Sequence, residues 1–174
     1  YYLREKKYSS SKSSTVSSIL YHLRYLKKNK ITIPEYLAII PVTNPFLKVT
    51  TIVRAYKKII KNKKFNSIVS YTKSTEHPFL YVDIIKDKIK FDLFKFKNFY
   101  YSDLERTQDW PYSTVATPSI KITKTKYFLK HLKNKDPYFN LKTFDLTSCT
   151  GLKISNKESF DINNPKDLTL ANII

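Results

Sequence analysis

The chain has one glycine, Gly151, in 174 residues, and it has no methionine. A loop that cradles a nucleotide phosphate on bare backbone N–H groups needs several glycines, so this segment alone does not build one. With no methionine at position 1 either, the expectation is a fragment or trimmed domain lacking its N-terminal portion. A single cysteine, Cys149, excludes an internal disulfide and suits a reducing compartment, so a cytoplasmic location is expected. Three scattered histidines (His22, His77, His131) and that one cysteine do not make a zinc site. No apolar run approaches the roughly 20 residues of a membrane-spanning helix. The N-terminal "YYLREKKYSSSKSS" lacks the apolar segment of a signal peptide. There is no internal repeat and no long linker, so one domain over 1–174 is expected.

What is present is an apolar content of 41%, enough for a packed core. The net charge is +18, from 32 basic and 14 acidic residues. One reading is a polyanionic partner. The other is codon bias, because lysine is accompanied by abundant Ile, Asn, Tyr and Phe, as an AT-rich genome produces. The basic residues are spread along the chain without a dense arginine block, which favours the second reading and disfavours a dedicated nucleic-acid interface. Anionic substrates are favoured by such a field in either case.

Apolar residues at Val16, Ile19, Leu20, Leu23 and Leu26 have helical spacing, with Ser13 or Ser14 as N-cap. "EYLAIIPV" (35–42) reads as a buried, central, parallel strand, ended by the turn "TNPF". Val49, Ile52, Val53, Tyr56, Ile59 and Ile60 predict a second helix, and "FNSIVSYT" (65–72) a second strand. Helix and strand alternating in this way point to βαβ units with helices on both faces of the sheet. "FLYVDIIKDKIKFDLFKF" (79–96) alternates like a β-ribbon, and 106–118 reads as loop. "SIKIT" predicts a strand, 124–134 a helix and 138–146 a strand. Asn164 as N-cap, Pro165 at N1 and Asp167 at N3 open a closing helix.

Taken in order, "SSSKSSTVSSILYHL", "EYLAIIPVTNPFLKVTTIVRAYKKI", "FNSIVSYTKSTEHPF", "RTQDWP" and "ESFDINNPKDLTLANII" resemble the cytidylyltransferase family that activates acidic sugars, the acylneuraminate (CMP-sialic acid) synthetases among them. The resemblance implies a doubly wound, Rossmann-like α/β nucleotidyltransferase sheet with helices on both faces and a β-ribbon arm through which the enzymes pair as homodimers. It implies attack of a sugar's anomeric hydroxyl on the α-phosphate of CTP, release of pyrophosphate, and Mg²⁺ as cofactor. It places Asp161 at the family's metal-holding aspartate and Asn163 where a second aspartate is usual. It places Thr43, Asn44 and Pro45 in the substrate turn, and Arg106, Gln108, Asp109 and Pro111 in an "RxQDxP" loop in which Arg106 and Gln108 face substrate.

The departures are as specific as the matches. Pro41 stands where the family has a sugar-contacting glutamine, Thr117-Pro118 replaces an Asn-Gly, and Ser17 replaces an aspartate. The glycine-rich loop would precede Tyr1. For Asp161 a structural turn is the competing role, for Thr43 and Asn44 an ordinary strand-ending turn, and for Arg106 a solvated surface position. Helix capping is the simplest role for Asp167, and a structural role for His77-Pro78. Two function classes remain beside the enzyme: a degenerate, non-catalytic binding or dimerisation module, and, with less weight, a basic nucleic-acid-binding domain.

Overall fold

The computed structural model describes residues 5, 8, 13–86, 88–91, 95–133 and 141–174. In chain order the elements are α1 (Thr15–Lys28), β1 (Tyr36–Ile39), α2 (Val49–Lys61), β2 (Ser67–Lys73), β3 (Asp83–Ile85), β4 (Lys88–Lys90), β5 (Thr114–Lys124), α3 (Lys126–Leu129), β6 (Cys149–Lys153) and α4 (Pro165–Ala171). β1, β5, β2 and β6 form one sheet in that order, and β3 and β4 form a separate two-stranded ribbon. β5 runs antiparallel to both β1 and β2, while β2 and β6 are parallel. The three strands β1, β2 and β6 therefore point the same way and end on the same side.

Helices cover both faces, the layered Rossmann-like α/β arrangement expected from the alternation of helix and strand. Val16, Leu20, Leu23 and Leu26 of α1 cluster with Phe128 of α3, and Leu37 packs against them. Ala55 and Ile59 of α2 cluster with Ile68, Ile120, Ile122, Leu152 and Ile154, and Tyr36 packs against those. Tyr36 and Leu37 are adjacent on β1, so the two clusters lie on opposite faces. Ser14 caps α1 by accepting the Ser17 N–H at 3.1 Å. At the other end Lys30 has φ 55°, with Ile31 N–H donating to Leu26 O at 2.9 Å and Lys30 N–H to Lys27 O at 3.3 Å. This is a Schellman turn with lysine in the position that favours glycine.

β5 joins the halves of the sheet and carries an irregularity at its centre. Val69 faces Lys121 while Tyr71 faces Ala116, so Thr117–Ile120 form a buried loop that leaves the ladder between them. The fully buried Ser70 holds that loop: its Oγ accepts Ile120 N–H at 3.0 Å and lies 2.6 Å from Thr117 Oγ1. Pro118, lacking an N–H, sits where no ladder bond is required of it. On edge strand β6, Lys58 donates to Gly151 O at 2.6 Å and Arg54 to Lys153 O at 3.2 Å. These two α2 cations occupy carbonyls that an edge strand otherwise leaves open. A Cβ on Gly151 would stand 2.7 Å from the Tyr71 ring, which lies over this position.

Several elements differ from the sequence reading. β1 is four residues long and at the edge of the sheet among the described residues, not central, and its neighbour β5 is antiparallel. The turn at Thr43-Asn44 stops it early, and the N–H-free Pro41 cannot prolong a ladder. The exposed side of α2 carries Val49, Val53 and Tyr56, at 74%, 44% and 47% exposure, whereas Thr51, Ala55 and Ile59 face the sheet. Small side chains there let the helix approach the strands. The ribbon is confined to β3 and β4, because Pro78–Leu80 is a 3-10 turn; residues 87 and 92–94 lie outside the described residues. The segment 106–118 is not all loop: Thr107–Asp109 is a 3-10 turn and β5 begins at Thr114. The helix expected over 124–134 shrinks to α3 among the described residues, because β5 continues through Lys124; residue 134 lies outside them. No strand covers 141–146, and 138–140 lie outside the described residues; the strand is β6, a few residues later.

Candidate functional site

In open α/β sheets ligands bind beyond the carboxyl ends of the parallel strands, here the ends of β1, β2 and β6. β1 runs into Pro41-Val42-Thr43-Asn44-Pro45, and β6 into residues 154–164. The two segments are bonded to each other. Ile162 N–H donates to Thr43 O at 2.9 Å, and Asn44 Nδ2 donates to Phe160 O at 2.8 Å. The Phe46 and Phe160 rings meet edge to face at 5.9 Å, and Lys157 Nζ lies 5.1 Å from the Phe46 ring. Thr72 at the end of β2 hydrogen-bonds the Asn156 side chain and ties the third strand end to the same segment.

Four of the sequence-derived candidates, Thr43, Asn44, Asp161 and Asn163, thus come together on these two facing segments. Asn44 is 6% exposed, and its Oδ1 is buried with no hydrogen-bond partner, as is Asp161 Oδ1. An unpaired buried acceptor costs about 1–3 kcal/mol. Two of them on facing segments mark a place where donors or a cation from outside the chain would be accommodated. Asn163 is exposed, and its Nδ2 lies 3.4 Å from Asp161 O. Asp167 has the capping role: its Oδ2 accepts the N–H groups of Asn163 at 2.8 Å and Asn164 at 3.1 Å. Asn164 Oδ1 in turn accepts those of Lys166 and Asp167, completing the capping box.

Beneath this face lies Glu158, 8% exposed, which the sequence reading did not single out. It accepts from Thr51 Oγ1 at 2.6 Å and Ser155 Oγ at 3.2 Å. Burial pushes its carboxyl upward, but hydrogen bonds from Thr51, Ser155 and the backbone of Lys48 and Ser155 outweigh that and hold it below the ordinary glutamate value. Lys48 is the N-cap of α2 and has no side-chain cap bond, so Glu158 supplies the anion that the helix's positive end favours. The signal in the sequence was "SNKES", a serine three residues before a glutamate.

Arg106 and Gln108 do not join this group by any hydrogen bond among the described residues. Arg106 forms two bonds to Asp109, Nε to Oδ2 at 2.9 Å and Nη2 to Oδ1 at 3.1 Å, and both residues are solvent-exposed. Its guanidinium is thereby matched within its own turn. Gln108 is exposed, with Thr107 Oγ1 3.5 Å from its Oε1. His77 is structural: Nε2 bonds Pro111 O at 2.8 Å, and Nδ1 accepts Phe79 N–H at 3.2 Å. Its ring packs among Phe79, Phe96 and Trp110.

For the Mg²⁺ that the sequence resemblance implies, the available donors are one carboxylate and one amide. Asp161 Oδ1 is desolvated and unpaired, and Asn163 is its exposed neighbour. Such a set suits an ion that keeps water and phosphate oxygens at its other positions. No group of three or more His, Cys, Asp or Glu able to hold a metal occurs among the described residues, nor does any described helix have the length and apolarity to cross a membrane.

No protein-family model matches the chain, and no curated protein matches it. Among solved structures it is similar to a 4-diphosphocytidyl-2C-methyl-D-erythritol synthase from Anaerococcus prevotii DSM 20548, at 14% identity and a TM-score of 0.47. The match covers 86% of this chain and 63% of that one, so the chain spans less than two thirds of that protein's length. A likeness of this degree assigns neither family nor activity.

Proposed function

We propose that the chain is part of a CTP-dependent nucleotidyltransferase that transfers CMP to an acidic sugar, a nonulosonic acid such as sialic acid, with release of pyrophosphate. The observation that carries the reading is the pairing of the Thr43-Asn44 turn with Phe160–Ile162 at the strand ends, which leaves Asn44 Oδ1 and Asp161 Oδ1 buried and unpaired. Both lie in segments that the sequence resemblance matches. In the proposed reaction the anomeric hydroxyl attacks the α-phosphorus as the bond to pyrophosphate breaks. Asp161 and Asn163 hold Mg²⁺, which when bound offsets charge on the phosphate oxygens. Thr43 and Asn44 position substrate, and the net positive charge favours anionic substrates. Supply of activated sugar acid to surface polysaccharide synthesis is the corresponding role. The ribbon exposes Ile84, Ile89 and the nearby Phe91 at 68%, 59% and 49%, which supports pairing of two copies through the arm.

The competing reading, a non-catalytic binding or dimerisation module, is favoured by one observation: Arg106 is matched by Asp109 rather than free for substrate. One assay separates them. With Mg²⁺, CTP and a panel of nonulosonic acids, the full-length protein carrying this segment is expected to release pyrophosphate, and Asp161→Asn is expected to lower the rate by at least about a hundredfold. Absence of release with every acid refutes the enzyme reading.

A further inference from the structure

We infer that Lys97, Tyr112 and Lys153 form a carboxylate-binding subsite where the arm meets the sheet. Lys153 is the last residue of β6, and Tyr112 lies just before β5, where Ser113 O accepts the N–H of Ser74 beyond β2 at 3.2 Å. The trio therefore sits at the same strand ends as Asn44 and Asp161. The Tyr112 ring is 48% exposed. Lys97 Nζ lies 5.9 Å and Lys153 Nζ 5.7 Å from its centroid. Neither lysine has a carboxylate partner among the described residues; the Arg106–Asp109 pair is the one ion pair described there.

Lys97 is held in place by backbone geometry. Phe96 and Phe99 exchange both backbone hydrogen bonds, at 2.8 and 3.0 Å, and the two residues between them, Lys97 and Asn98, have φ 48° and 72°. This two-residue turn requires left-handed backbone at both positions, where asparagine and glycine are preferred. Lysine stands there instead, with its ammonium turned back to hydrogen-bond Tyr112 O. A local conformational cost borne by a residue that presents a charge is a pointer to a role in binding. An ammonium has three donors, so the bond to Tyr112 leaves Lys97 two for a ligand.

In the proposed reaction this subsite takes the carboxylate of the sugar acid, in place of Arg106, which the sequence resemblance sets against substrate but which Asp109 holds; that assignment rests on the proposed function. Trp110, the single tryptophan, is two residues from Tyr112 and reports on the subsite by its emission. Titration of the full chain with N-acetylneuraminic acid is expected to change that emission saturably, and the carboxylate-free N-acetylmannosamine is not. Lys97→Asn and Lys153→Gln are each expected to weaken binding at least fivefold, and Arg106→Gln less than twofold. Because asparagine suits the turn, Lys97→Asn should lose affinity without a lower melting temperature, which separates lost contact from lost folding. Equal response to both sugars, or loss of binding in Arg106→Gln but in neither lysine variant, overturns the subsite. Lysine-dependent binding without CMP transfer keeps the subsite and refutes the enzyme reading. CMP transfer with the acid's KM unchanged in both lysine variants does the reverse.

Discussion

Replacing Glu158 with glutamine removes a charge while keeping the shape of the side chain. The carboxylate accepts from Thr51 Oγ1, itself on a residue 4% exposed, and from Ser155 Oγ, and it faces the start of α2. Hydrogen bonds to a charged group contribute about 1.5–3 kcal/mol, and an anion at a helix N-terminus about 0.3–1 kcal/mol. Glutamine retains one acceptor oxygen, so a loss of about 2 kcal/mol is expected for Glu158→Gln at pH 7. With a urea m-value of about 2 kcal/mol/M, the unfolding midpoint falls by about 1 M with unchanged slope. The folded-state pKa lies below the ordinary glutamate value of 4.5, so this stabilisation is present above pH 4.5 and is lost as the pH falls through the folded value. The gap between wild type and Glu158→Gln should therefore close under acid conditions. A midpoint shift below about 0.25 M at pH 7, or a gap that persists undiminished at pH 3, would refute the assignment of a charged, hydrogen-bonded Glu158.

Gly151→Ala places a methyl group 2.7 Å from the Tyr71 ring and should destabilise by about 1–3 kcal/mol in urea unfolding; combining it with Tyr71→Ala should cost less than the two changes summed. Lys30→Gly relieves a left-handed lysine in the Schellman turn and should raise stability by about 1 kcal/mol, read as a higher melting temperature. Asp161→Asn, the substitution expected to slow pyrophosphate release, should leave stability unchanged or higher, because it neutralises a carboxylate whose buried oxygen has no partner.

Local signals in the sequence located the elements that depend on local chemistry. The capping box at Asn164-Pro165-Lys166-Asp167 is present as read, because its hydrogen bonds close within one turn. α1 and β2 were equally legible from periodicity. The assembly of the sheet's middle was not, although "SIKIT" (119–123) was read as a strand and falls within β5. β5 takes its place by pairing with two strands distant in sequence, and neither its antiparallel insertion nor the loop held by Ser70 leaves a local trace. β6 was hidden by Gly151 and a terminal lysine, which lower the strand signal of a segment completed by pairing with β2. For the site, the motifs at 43–45 and 161–163 lie on segments that meet in the fold, Ile162 N–H donating to Thr43 O and Asn44 Nδ2 to Phe160 O. They could not show that Arg106 is matched by Asp109, because that depends on how a 3-10 turn orients two exposed side chains.

The strand order also sets the timetable of synthesis. β1 and β2 are successive strands of the chain, yet they are not neighbours in the sheet; each must wait for β5, and β2 waits longer still for β6. At roughly 5–20 residues per second, the ribosome takes on the order of seconds to make residues 74–113 before β5 begins to emerge. Throughout that interval α2 and Ile68 have each other to pack on, but their later partners Ile120, Ile122, Leu152 and Ile154 are missing. A translational pause between Lys73 and Thr114 therefore holds the nascent chain with its apolar surface incompletely covered, whereas a pause once β5 has emerged finds β1 and β2 each able to pair with it.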